Sequence, residues 1–144
     1  MYPITNLLIK PEDLLEVEQL RREVYNIENS DISNYLHELK EKTIYAYGTK
    51  IDNKIVAGGY FNVSYNILYI KQLFVKQEYQ NTGLKLGRNI LYYMFNNKYE
   101  IEKLTGKTID SSMIYPTSIK SLKIYRDIGY KNLGDDFSMM IKSI

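Results

Sequence analysis

The spacing of apolar residues changes period several times along this chain, and each change marks an element. Ile4 to Ile9 is a short apolar run stopped by Lys10-Pro11, which predicts a first strand. Pro11-Glu12-Asp13 then opens a helix, with proline in the first turn and acids at the positive end of the dipole. Leu14, Leu15, Val17, Leu20, Val24 and Ile27 recur at helical spacing and carry it to about Asn26. Asn29-Ser-Asp31 offers a cap for a second helix over Ile32 to Lys42, with Tyr35, Leu36 and Leu39 on one face. The period then falls to two. Thr43 to Thr49 alternates, Asp52-Asn53 turns, and Lys54 to Val63 returns as a strand. Ser64-Tyr-Asn66 turns again into a strongly apolar strand over Ile67 to Val75. After a glycine-containing loop, Leu86, Ile90, Leu91, Met94 and Phe95 mark a helix to about Asn97. Leu104 and Thr108 to Tyr115 predict another strand, stopped by Pro116. Thr117-Ser118 caps a helix from Ile119 to about Asp127, Gly129 ends it, and Phe137 to Ile141 is a last strand. The order is β-α-α-β-β-β-α-β-α-β. Short turns make the middle strands an antiparallel meander, and the later crossovers allow parallel neighbours, so a mixed α/β sheet with helices on both faces is expected.

Composition narrows the chemistry. A chain of 144 residues, 44% apolar and 25% charged, is expected to form a single domain over 1–144 with a real core. The absence of cysteine excludes disulfides, thiol nucleophiles and thiolate metal sites. His37 is the sole histidine, which excludes a histidine-based triad or a multi-histidine metal cluster within the chain, and its polar helical surroundings predict a solvated side chain. A net charge of +2, with no run of Lys and Arg longer than a pair, argues against a nucleic-acid surface. No segment reaches the roughly 18 apolar residues that span a bilayer, and no basic region precedes a long apolar core at the N-terminus. A cytoplasmic protein with no membrane partner is expected. Tyrosine is frequent, at 15 residues, but Tyr45, Tyr47, Tyr60 and Tyr69 alternate on strands and divide between core and pocket.

The segment with the most chemistry is Val75-Lys-Gln-Glu-Tyr-Gln-Asn-Thr-Gly-Leu-Lys-Leu-Gly87. A strand, a short loop and a helix start make an anion site, because backbone N–H groups converge and the helix dipole adds positive charge. Gly83 and Gly87 are expected to allow close approach and positive φ, and Lys85 and Arg88 to add charge. A phosphorylated ligand is expected here.

The element order, together with Gln80-Asn-Thr-Gly83 between the fourth strand and third helix, resembles the GNAT acetyltransferase superfamily. The strongest piece is Tyr69 to Gly83, similar to the strand and loop in which Gln or Arg, two variable residues and Gly cradle the coenzyme A pyrophosphate. A second is Pro116-Thr-Ser-Ile-Lys-Ser-Leu-Lys-Ile-Tyr125-Arg-Asp-Ile-Gly129-Tyr130, similar to the family's Asn-x-x-Ala-x-x-x-Tyr-x-x-x-Gly-Phe. The resemblance implies a mostly antiparallel sheet of about six strands with a parallel pair at a splay. It implies direct acetyl transfer from acetyl-CoA to an amine, with no metal. Leu73, Phe74 and Val75 would end the splayed strand and offer backbone groups to pantetheine. Gln80, Asn81, Thr82, Gly83, Leu84, Lys85, Leu86 and Gly87 would hold the pyrophosphate, with Ser118 a further cofactor contact. Tyr125 would reach the coenzyme sulfur and donate to the departing thiolate.

Several positions depart from that pattern. Lys85 stands where the family has Gly or Ala, so either it replaces that small residue or the loop has gained two residues before the helix. Ser118 and Ser121 replace the family's Asn and Ala. Gln72 and Met113 hold the places where many relatives carry a carboxylate base, and neither takes a proton. Asp110 is expected on the opposite strand face from Met113, and Glu23 and Glu28 have no motif behind them, which leaves the base unassigned. Arg21 and Arg22 are expected to face solvent, with contact to an acidic acceptor as the alternative. The leading expectation is an N-acetyltransferase acting on a small-molecule or protein amine. The alternatives are a non-catalytic acyl-CoA-binding sensor or partner module, and acetylation of aminoacyl-tRNA, for which a charge of +2 gives little support. A homodimer through the last strand is open.

Overall fold

The computed structural model describes residues 3–26, 32–133 and 139–144, with backbone alone at 32–34. The strands are β1 Ile4–Leu8, β2 Tyr45–Ile51, β3 Lys54–Ser64, β4 Ile67–Val75, β5 Ser111–Ile114, β6 Lys131–Asn132 and β7 Met140–Ser143. The helices are α1 Leu14–Tyr25, α2 Ile32–Glu41, α3 Leu86–Asn96, α4 Lys98–Thr105 and α5 Ile119–Ile128. Backbone hydrogen bonds order the strands β1-β2-β3-β4-β5-β7-β6. Pairing is parallel at β4–β5 and antiparallel at β1–β2, β5–β7 and β6–β7, the mixed sheet that the pattern predicts. By contact density the chain forms two compact units, Met1–Tyr60 with Gln72–Met94 and Phe61–Lys71 with Phe95–Ile144.

In the first unit, the apolar stripe of α1 (Val17, Leu20) packs with Leu39, Ile9, Ile44, Ala46, Ile55, Tyr60 and Phe74. Asp52 and Asn53 link β2 to β3 with φ of 52° and 61°, the left-handed pair that suits strand twist in a two-residue hairpin. Two adjacent glycines in β3 set how closely helices approach. A Cβ on Gly58 would lie 2.6 Å from the Phe74 ring and 3.0 Å from Val17, and one on Gly59 would lie 2.9 Å from Met94. Neighbouring strand residues face opposite sides, so α1 covers one face of β3 and α3 the other.

In the second unit, β5 runs beside β4 from Ile67↔Ser111 to Ile70↔Ile114. Tyr130 anchors the core there: its hydroxyl lies 2.7 Å from Ser112 Oγ, and its ring lies 6.0 Å from Tyr125 and 6.1 Å from Phe95. Ser118 caps α5 by accepting from the Ser121 N–H, and Gly129 ends it at φ 115°.

Three expectations need correction. Leu104 lies in α4, whose single buried residue, Ile101, gives too little periodicity to register as a helix. The strand expected over Thr108 to Tyr115 is only Ser111–Ile114. The last strand is Met140–Ser143 with a two-residue partner, β6, and the part of the expected Phe137–Ile141 strand around Phe137 lies outside the described residues. The expected cap at Asn29 to Asp31 also lies outside them.

Candidate functional site

The end of β4 is where backbone chemistry becomes available. β5 pairs with β4 only as far as Ile70, so β4 runs five residues further, Lys71 to Val75. The Lys76 N–H bonds the Val56 carbonyl of β3 at 2.8 Å. Peptide groups alternate along a strand, so those of Phe74 also turn towards β3 while those of Leu73 and Val75 turn towards the other edge. Two side chains meet that edge. Tyr25 Oη donates to the Leu73 carbonyl at 2.8 Å, and Gln80 Nε2 donates to the Val75 carbonyl at 2.8 Å. The Leu73 and Val75 side chains face α3, whereas Phe74 is buried in the core.

The loop that follows is braced by its own side chains. Thr82 Oγ1 donates to the Tyr79 carbonyl at 2.9 Å, and Asn89 Nδ2 donates to the Leu84 carbonyl at 3.1 Å. Asn81, Gly83 and Lys85 have φ of 59°, 85° and 53°, so the chain winds through three left-handed residues to reach α3. A Cβ on Gly83 would meet nothing within 4 Å, so glycine is favoured there by backbone conformation alone. The expectation of positive φ at Gly87 is corrected: Gly87 is the second residue of α3, and Lys85 carries the left-handed turn instead. The helix begins immediately after Lys85. Asn81, Thr82, Gly83, Leu84 and Lys85 are exposed, and Leu86 is buried.

Beside this loop, Glu23, Val24 and Asn26 of the α1 end and Gln77 and Gln80 line a cleft of about 280 Å³. The expected solvent-facing Arg21 and Arg22 are corrected: both are buried. The reason lies in helical spacing, since Arg21 follows Val17 by one turn and precedes Val24 by another. Arg21 Nε and Nη2 donate to Glu18 at 2.6 and 3.1 Å, and Tyr60 Oη donates to the same carboxylate at 2.8 Å. Arg21 Nη1 donates to Gln72 Oε1 at 3.2 Å, and its guanidinium lies 4.3 Å from the Tyr35 ring centroid. Burial works against the Arg21 charge, but hydrogen bonding and attraction from Glu18 outweigh it and raise its pKa. Burial, then the neighbouring Glu18 carboxylate, pushes the Tyr60 phenol well above the ordinary tyrosine range.

The other expected positions fall elsewhere. Tyr125 is buried on α5 against Tyr130, and Ser118 is that helix's N-cap. Met113 is buried opposite Tyr69 and Ile141. Asp110 is exposed and ends before β5 begins. Glu23 is exposed, His37 is exposed as expected, and Glu28 lies outside the described residues. Sequence reasoning missed Glu18 and the Tyr25–Leu73 bond. The first was readable from α1 periodicity, and the second had no local signal. Among the described residues, no group of three or more acidic or histidine side chains could hold a metal ion, and no helix is long and apolar enough to cross a membrane.

No family model and no curated protein matches the chain. Solved structures match along its whole length. The ribosomal-protein-S18-alanine N-acetyltransferase from Escherichia coli has a TM-score of 0.76 at 14% identity, covering 99% of this chain and 94% of that one. The chain has the GNAT fold. An aminoglycoside 6'-acetyltransferase type Ii matches with a TM-score of 0.75 at 12% identity over 96% of both chains. The PaiA N-acetyltransferase from Thermoplasma acidophilum, in complex with coenzyme A, matches with a TM-score of 0.70 at 19% identity over 99% of both. Identities this low carry the GNAT fold and leave acceptor chemistry to the residues.

Proposed function

We propose that this chain is an acetyl-CoA-dependent N-acetyltransferase, working as one domain on a primary amine of a small molecule or protein. The observation that carries the reading is the unpaired edge of β4 running directly into the left-handed loop and the start of α3. Acetyl-CoA supplies the acetyl group as a thioester. Leu73 and Val75, held in place by the buried Phe74, present N–H and C=O groups to the pantetheine amides, as an added strand would use them. Their carbonyls each accept two bonds, so the Tyr25 and Gln80 contacts need not be lost. Gln80, Asn81, Thr82, Gly83, Leu84 and Lys85 wrap the pyrophosphate. Leu86, Gly87 and Arg88 point N–H groups at it, because a first helical turn has no carbonyls behind it. Ser118 adds a hydroxyl contact. Tyr125 holds a proton at Oη for the departing sulfur, and a β4 N–H faces the charge that develops on the acyl oxygen. Gln72 and Met113 accept no proton, so the amine enters neutral or releases its proton to water.

That same pair of residues favours a second reading, a non-catalytic acyl-CoA-binding module. Calorimetry with acetyl-CoA, then thiol release on a panel of amines, separates the two. The enzyme reading expects binding with turnover, and a kcat about 10²-fold lower in Tyr125→Phe with unchanged acetyl-CoA affinity. Binding without turnover on any amine selects the module, and absence of binding overturns both.

A further inference from the structure

The buried Arg21 does more than neutralise Glu18. It fixes which way the Gln72 side-chain amide points. A guanidinium only donates, so the Gln72 atom 3.2 Å from Arg21 Nη1 has to be the oxygen. Arg21 cannot easily rotate away, since it is 1% exposed, is held by two bonds to Glu18 and lies over the Tyr35 ring. The Gln72 Nε2 donors therefore face the other way, and among the described residues no acceptor meets them. Gln72 itself is half-buried, on the α1 side of β4 with Phe74. It directly precedes Leu73, one strand step of about 3.3 Å from the stretch assigned to acyl-CoA.

We propose that Gln72 is a specificity residue whose amide donates to an oxygen beside the reacting amine, selecting amines that carry a carbonyl on the adjacent carbon. Amino-acid amides and peptide N-termini share that chemistry. The inference rests on the acetyltransferase reading for where the amine lies, but its binding test needs no turnover. A bare alkylamine leaves the Gln72 donors without a partner, whereas an α-aminoamide satisfies one of them.

The test uses the unreactive products N-acetylglycinamide and N-acetylglycylglycinamide, with N-ethylacetamide, which keeps the acetyl group but lacks a carbonyl on the carbon next to the nitrogen. Each is titrated calorimetrically into wild-type protein and into Gln72→Met, which keeps the side-chain length and removes the donor. Wild type is expected to bind a ligand with a carbonyl on that adjacent carbon about three- to tenfold more tightly than N-ethylacetamide. In Gln72→Met that ratio is expected to fall to about one. Preference for N-acetylglycinamide assigns a small acceptor, and preference for N-acetylglycylglycinamide a peptide. Gln72→Glu, which puts an acceptor in place of the donor, is expected to lower the ratio as well. An unchanged ratio in Gln72→Met, equal affinities in wild type, or binding of none of the three overturns the proposal. Acetyl-CoA titrated in parallel judges the acetyltransferase reading separately.

Discussion

Arg21 is a buried cation whose position depends on a single carboxylate. Glu18 neutralises it, Tyr60 completes the carboxylate's hydrogen bonding, and Gln72 and Tyr35 cover the remaining faces. Removing one member of such a pair leaves the other charge buried and uncompensated, which typically costs about 3–5 kcal/mol. Glu18→Gln is therefore expected to lower the unfolding free energy by that amount in urea titrations, whereas loss of under about 1 kcal/mol would class the pair with surface bridges. The sequence carried a readable sign of this network. Val17, Arg21 and Val24 fall on one face of α1, so the stripe that identifies the helix also buries Arg21. Charge alone favours water for Arg21 and Arg22, but both are buried. Tyr25 is different: its bond joins residues 48 apart in sequence, and no local pattern announces a hydroxyl meeting a carbonyl at that distance.

Individual elements differ in how clearly they were written. β4 was legible to the residue, because a mostly apolar nine-residue run closed off by turn signals, with Leu68, Ile70 and Phe74 buried, is the length of a strand. α4 was not, since one buried isoleucine in eight residues gives no stripe. The loop's shape needed the structure: Gly87 advertises a left-handed turn by its identity, but Lys85 makes it. β3 supplies a prediction of its own. Gly58 stands where a side chain would enter the Phe74 ring and Val17, neither of which is the free end of a flexible chain. Gly58→Ala is expected to cost about 1–3 kcal/mol by overpacking, read as a lower thermal midpoint with the native far-ultraviolet spectrum retained. A neutral or stabilising result would mean that α1 can move away from the sheet.

Over the whole molecule, burial of tyrosine hydroxyls sets a pH limit. Tyr60 and Tyr130 are held protonated well above their ordinary value of 10.0, mainly by burial. Unfolding frees both phenols to ionise at that ordinary value, so above about pH 10 the unfolded chain binds fewer protons than the folded one. Their contribution is complete below that pH and is lost as pH rises. Thermal midpoints are expected to be level near pH 8–9 and to fall above about pH 10, less steeply in Tyr60→Phe. The fold class, the glycine loop and the capped last helix were all present in the pattern of residues. The Arg21–Gln72 and Tyr25–Leu73 contacts were hidden, because they join residues 51 and 48 positions apart. Backbone amide spectra recorded with and without acetyl-CoA test the central claim most directly. The predicted result is that the largest shifts fall on Leu73, Val75, Asn81 to Lys85 and the first turn of α3. Saturable binding whose shifts leave β4 and this loop untouched would contradict it.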